Sequence, residues 1–126
     1  MGTIMTVTGP DFLALQVRDL EKSAEFYEQT IGLTRAPAGP PGAVVFATSP
    51  IPFAVREPLP DVDLDSIDRP GTGVALWFNC DDSQALHDSL VAAGVEILRG
   101  PAPSPFGLMF TFVDPDGYAV TMHDAG

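Results

Sequence analysis

The chain has 126 residues, 45% of them hydrophobic and 18% charged, which suits one globular domain that buries its own core and excludes a disordered chain. Its net charge of −11, with only six Lys and Arg, argues against nucleic acid and anionic membranes as partners, because both are bound mainly through those cations. The single cysteine, Cys80, rules out an internal disulfide or a cysteine-based zinc cluster and fits a reducing compartment, so a cytoplasmic location is expected.

The opening residues, MGTIMTVTGPD, lack the basic flank and apolar run of a signal peptide, and no window approaches a membrane span. Thr6 meets the loose myristoylation pattern, a common match that carries little weight. FLALQV then alternates with period two, sending Leu13, Leu15 and Val17 to one face of a strand and Phe12, Ala14 and Gln16 to the other. Asp19 has the position of an N-cap. Leu20, Ala24, Tyr27 and Ile31 follow as an apolar helical stripe that stops at Gly32. AVVFATS and IPFAVRE read as two strands joined around Ser49-Pro50, and Pro52 implies that the second lies at an edge or begins late. PLPDVDLDSIDRPGTG is a polar, proline-bounded connector.

Past the connector the pattern restarts. VALWFNC alternates as a strand, Asp81 and Gln84 have the spacing of a capping box, and Leu86, Leu90 and Ala93 stripe a helix that stops at Gly94. Superposing the two units sets Phe12 opposite Ala75 and Asp19 opposite Asp82, an offset of 63 that slips to 62 at Gly32 and Gly94. VEILRG, LMFTFVD and YAVTMHD supply further strands, the last two joined by the turn DPDG. The expectation is an α+β fold of two βαβββ modules, about 9–58 and 73–126, around a linker of about 59–72.

The pieces V-x-D-L-x-x-S-x-x-F-Y, over residues 17–27, and D-P-D-G-Y, over 114–118, together resemble the vicinal oxygen chelate superfamily of glyoxalases, extradiol dioxygenases, fosfomycin-modifying enzymes and bleomycin-resistance proteins. That resemblance implies half-open barrels with helices on the outer face and a site inside. It also implies four metal-ligand positions, which fall here on Phe12, Ala54, Ala75 and Thr121. None of these side chains ligates a divalent ion, and a register slip admitting Glu57 would add one carboxylate only. No metal and no cofactor are therefore expected. Phe12 stands where the ion would sit, either lining a binding surface or packed as an ordinary core residue.

The helix-side residues of the two opening strands, Leu13, Leu15, Val17, Leu76, Phe78 and Cys80, are uniformly apolar or thiol, whereas the opposite faces mix apolar and polar groups, as a ligand cavity requires. Those faces carry Phe12, Ala14 and Gln16 in module one and Ala75, Trp77 and Asn79 in module two; Ala54 and Arg56 join the first group, and Thr121 and His123 the second. These ten are the candidate ligand-binding residues, with Trp77 as stacking platform. His87 is expected to face solvent, His123 to lie exposed near the chain end or at a cavity mouth, and no nucleophile–base pair or specific phosphate loop is seen. The function this implies is sequestration of an aromatic natural product, bleomycin-, mitomycin- or enediyne-like, with a cation favoured by the net charge, in a homodimer that does no chemistry. A lyase, isomerase or dioxygenase of the same fold, and an accessory dimer without a small ligand, are the alternatives.

Overall fold

The computed structural model describes residues 5–125, leaving most of the N-terminal myristoylation pattern outside the described residues. Strand β1 (Leu13–Gln16) leads into helix α1 (Leu20–Glu25), whose last part, Phe26–Ile31, widens into π-helical turns. Asp19 caps the helix by accepting from the Lys22 N–H, and Gly32 ends it in the left-handed region at φ 96°, where a side chain would be strained. Strands β2 (Ala43–Phe46) and β3 (Phe53–Arg56) complete the first module. The second runs β4 (Trp77–Asn79), α2 (Ser83–Ala92), β5 (Glu96–Ser104), β6 (Gly107–Val113) and β7 (Ala119–His123).

Two open sheets result, ordered β1-β3-β2 and β4-β7-β6-β5. In each, the opening strand lies parallel to the last strand of its module, with Ala14 beside Ala54 and Trp77 beside Thr121. Module two is a full βαβββ unit. Module one falls one strand short of βαβββ: between the helix and β2 only a single bridge joins Arg35 to Phe46. Pro37, Pro40 and Pro41 follow at once, and prolines offer no N–H to extend a ladder. Strand β3 is central, so the edge reading of Pro52 is overturned and the late start holds; Pro52 lies just before the strand and its carbonyl accepts from the Leu13 N–H.

Helix α2 is capped by Asp82, whose side chain accepts from the Ala85 N–H, and not by Asp81. With Asp82 as cap the third helical residue is Ala85, which has no side chain to reach back, so the expected capping box does not form; Gln84 bonds Asp88 instead. Leu90 is buried and Leu86 half-buried, while Ala93 is exposed at the helix end and leaves the stripe. The core forms two clusters, one around Tyr27, Phe46 and Phe53 and one around Phe110, Phe112 and Leu90. Phe26, Ile31, Leu76 and Phe78 pack against both and make the two modules one body. Among the described residues no helix is long and apolar enough to cross a membrane.

Candidate functional site

The two sequence motifs meet in space, and what they build is a clasp between the modules. The Tyr27 hydroxyl donates to Oδ2 of buried Asp114 at 2.7 Å, and Asp114 Oδ1 accepts from the backbone N–H groups of Asp116 and Tyr118 at 2.9 and 3.0 Å. Asp116 Oδ1 in turn accepts from the Arg18 backbone N–H at 2.8 Å and from its guanidinium at 3.1 Å, while the Tyr118 hydroxyl donates to the Gln16 carbonyl. Arg18 also holds the linker, through Asp65 and the Leu64 carbonyl. The bonds of Tyr27, Arg18 and the Tyr118 hydroxyl thus cross to the opposite module or the connector, while the Asp116 and Tyr118 N–H bonds to Asp114 fix the turn itself.

Burial raises the Asp114 carboxyl above its ordinary range, opposed by the hydrogen bonds from Tyr27, Tyr118 and Asp116; burial beside Asp114 likewise pushes the Tyr27 phenol well up. A carboxyl raised in the folded state contributes stability that is complete below the ordinary carboxylate value and lost as pH rises through the folded value. Asp124 does the opposite. It accepts from the backbone N–H groups of Ser83 and Leu108, which lower its pKa, so its contribution exists above the ordinary value and is lost as pH falls through the folded one. The stability gap between the native chain and Asp124→Ala, measured by urea denaturation from pH 7 down to pH 2, is expected to narrow below the ordinary carboxylate range; a gap constant with pH would contradict this role.

The ten candidate residues divide between the sheets. In module one Ala14 pairs with Ala54 and Gln16 with Arg56, so the four share a face, but that face is partly closed. Ala54 is fully buried, the Gln16 side chain accepts from the Leu59 N–H at 2.7 Å, and Arg56 donates to the Glu57 carbonyl. Phe12 precedes β1 and is 55% exposed, which overturns core packing as its role within this chain. In module two Trp77 pairs with Thr121 and Asn79 with His123. Ala75 lies exposed before β4, and the Thr121 hydroxyl bonds that of Thr111 at 2.7 Å. Among the described residues no three His, Cys, Asp or Glu side chains are placed to hold a metal ion.

Only three of the ten line a cavity together. Trp77, Asn79 and His123 form one wall of a cavity of about 570 Å³, closed on the other side by residues 47–52 and by Leu33 and Thr34. Phe12, Ala14, Gln16, Ala54, Arg56, Ala75 and Thr121 lie outside it. A smaller cavity of about 370 Å³, on the linker side of Leu13 and Leu76, contains none of the ten. Strand parity says nothing of how two sheets are set against each other: the cavity also takes in Leu13, Leu76 and Phe78 from the face expected against the helices, and the two candidate groups do not meet in it.

Two rings pack against Trp77, His123 within the cavity wall and Phe106 outside it. The Trp77 ring, 40% exposed, lies edge-on to Phe106 at 5.8 Å and tilted against His123 at 5.7 Å. Phe106 was not anticipated; its signal was a large apolar residue in the turn SPFG, where turns are ordinarily polar. Gly107 beside it has φ 84°, and a side chain there would meet Asp124 and the Ala125 nitrogen, so this turn admits only glycine. His123 Nδ1 sits 3.2 Å from the Phe106 carbonyl. The Asn79 amide is satisfied with its nitrogen donating to the His123 and Ala125 carbonyls at 3.3 and 3.2 Å. His87 is less open than expected: its ring packs edge-on to Phe110 at 5.5 Å and its Nδ1 pairs with Asp88.

Comparison with known proteins agrees with this architecture. Residues 9–122 match the family model described as the Glyoxalase/Bleomycin resistance protein/Dioxygenase superfamily. Among solved structures, a glyoxalase/bleomycin resistance protein from Streptomyces sp. CB03234 superposes with a TM-score of 0.72 at 25% identity, covering 92% of this chain and all of its own. TnmS3, an antibiotic binding protein from the same organism, gives 0.75 at 23% identity, over 98% of this chain and 100% of its own. A fosfomycin resistance protein from Listeria monocytogenes gives 0.71 at 18% identity, over 96% of each chain.

Proposed function

Because the chain belongs to the glyoxalase/bleomycin resistance protein/dioxygenase superfamily, we propose that it is a binding member that sequesters an aromatic natural-product antibiotic, bleomycin-, mitomycin- or enediyne-like, without acting on it. The observation that carries this reading is the 40% exposed Trp77 ring at the wall of the larger cavity, with His123 tilted against it on the same wall and Phe106 edge-on beside it outside the lining. Aromatic faces of this kind offer large apolar area at little entropic cost and stack on planar ligands. The residues at the four positions that the family resemblance assigns to metal, Phe12, Ala54, Ala75 and Thr121, support binding over catalysis, since none is an oxygen or nitrogen ligand of the usual kind. The antibiotic-binding neighbour supports a resistance role in the same direction.

The protein acts in this reading as a homodimer in the cytoplasm, the second copy covering the open sheet faces that a single chain leaves apart. Phe12 and the module-one face then belong to a groove that both chains complete.

A thermal-shift screen against aromatic and DNA-damaging antibiotics, with divalent metals alone in parallel, tests the proposal, because tight binding to the native state must raise Tm by linkage. A rise with an aromatic antibiotic and none with Ni, Zn, Fe or Mn is the expected outcome. A rise with metal alone, together with near-stoichiometric metal in the purified protein, would overturn it in favour of an enzyme.

A further inference from the structure

The larger cavity has a chemical polarity that stacking alone does not specify. Its lining contains no Lys, Arg, Asp or Glu, so an anionic ligand would find no counter-charge there, and the chain's net charge of −11 opposes one further. The fixed polar side-chain atoms are mostly acceptors. A carbonyl oxygen can only accept, so the contact between His123 Nδ1 and the Phe106 carbonyl at 3.2 Å places the proton of the neutral ring on Nδ1 and leaves Nε2 with a lone pair. Asn79 commits its nitrogen to the carbonyls of His123 and Ala125, which leaves Oδ1 without an internal partner. The Thr48 hydroxyl gives its proton to the Ile51 carbonyl at 2.6 Å and so also presents lone pairs. Against these three acceptors stands one fixed donor, the Trp77 indole N–H.

We propose that the larger cavity recognises a neutral or cationic aromatic ligand whose edge carries hydrogen-bond donors, a phenolic O–H or an amine N–H, with one donor given to Nε2 of His123 while the ring lies on Trp77. This rests on the aromatic-binding reading above and narrows it: the ligand is selected by a donor at its rim. His123 is thereby a specificity-determining residue. The acceptor pair of His123 and Asn79 sits across a single strand pairing, since the two residues are register partners, so both reach the same edge of a ligand stacked beside them.

The test uses three probes of one shape: 2-naphthol, 2-methoxynaphthalene and 2-naphthoate, titrated at pH 8 by calorimetry, with the Trp77 indole N–H followed by NMR. The native protein is expected to bind 2-naphthol about five- to tenfold more tightly than 2-methoxynaphthalene, the range of one hydrogen bond, and 2-naphthoate most weakly. His123→Phe, which keeps a ring and removes the acceptor, should abolish the preference, so that 2-naphthol binds no more tightly than 2-methoxynaphthalene; His123→Gln, which retains an acceptor oxygen, should keep part of it, and unchanged melting curves certify both folds. Equal binding of the two neutral probes by the native protein, or a preference that survives His123→Phe, overturns the inference but leaves aromatic binding standing if Trp77 shifts. No Trp77 shift with any probe overturns both.

Discussion

Replacing Asp114 with alanine is expected to cost the fold about 3–5 kcal/mol, a large share of the stability of a domain this size. Asp114 is only 4% exposed, and its carboxyl receives three donors: the Tyr27 hydroxyl and the N–H groups of Asp116 and Tyr118. Truncation leaves all three in the interior without a partner, and an unsatisfied buried polar group costs roughly 1–3 kcal/mol. Tyr27→Phe removes one donor and should cost less, about 1–2 kcal/mol, because the carboxyl keeps its two backbone bonds. Urea midpoints at constant slope measure both. A loss at Asp114→Ala no greater than at Tyr27→Phe would show that the two backbone bonds to the carboxyl contribute no stability.

The second large effect separates the two faces of β4. Trp77→Ala should weaken ligand binding by about 1–3 kcal/mol through lost apolar area and ring contact while leaving stability nearly unchanged. Phe78→Ala, at a position that also borders the cavity, should instead act mainly on stability. Phe78 packs against both core clusters and lies edge-on to Phe53 at 5.1 Å, so its truncation opens a cavity where the modules join, worth about 3 kcal/mol of stability. The pair is read by chemical denaturation beside titration with whichever compound the thermal screen selects. Loss of fold at Trp77→Ala, with Phe78→Ala stable but unable to bind, would invert the assignment of faces.

Much of this was legible in the residues. Period-two alternation placed Leu15 and Val17 inside and Trp77 outside, and the signals at Asp19, Gly32 and Gly94 marked real helix ends, because caps and left-handed stops are local chemistry, whereas the second cap was expected at Asp81, one residue before its place at Asp82. The missing strand near Arg35 was less visible, since the prolines that end it lie after the apolar start. The cavity was legible only in part. Trp77, Asn79 and His123 share a strand pair and were grouped by parity, but Leu33, Thr34 and the loop from Ala47 reach the cavity through tertiary packing that no periodicity records. The clasp was present as two motifs whose value as markers was plain, though their contacts, across 87 to 102 residues of chain, were not.

The π-helical turns at Phe26–Ile31 give physical form to a one-residue disagreement between the two halves of the chain. Asp19 and Asp82 correspond at an offset of 63 and Gly32 and Gly94 at 62, so the first helix spends one residue more than the second between the same landmarks. In a regular helix an inserted residue turns everything after it by about 100° and would swing Ile31 off the core. A widened turn absorbs the insertion where it occurs, and Ala24 before it and Tyr27 and Ile31 within it all still pack inward. An alignment gap between the halves is therefore a bulge that can be located on the molecule, and it contains the aromatic residue, Tyr27, whose hydroxyl reaches across to the other module.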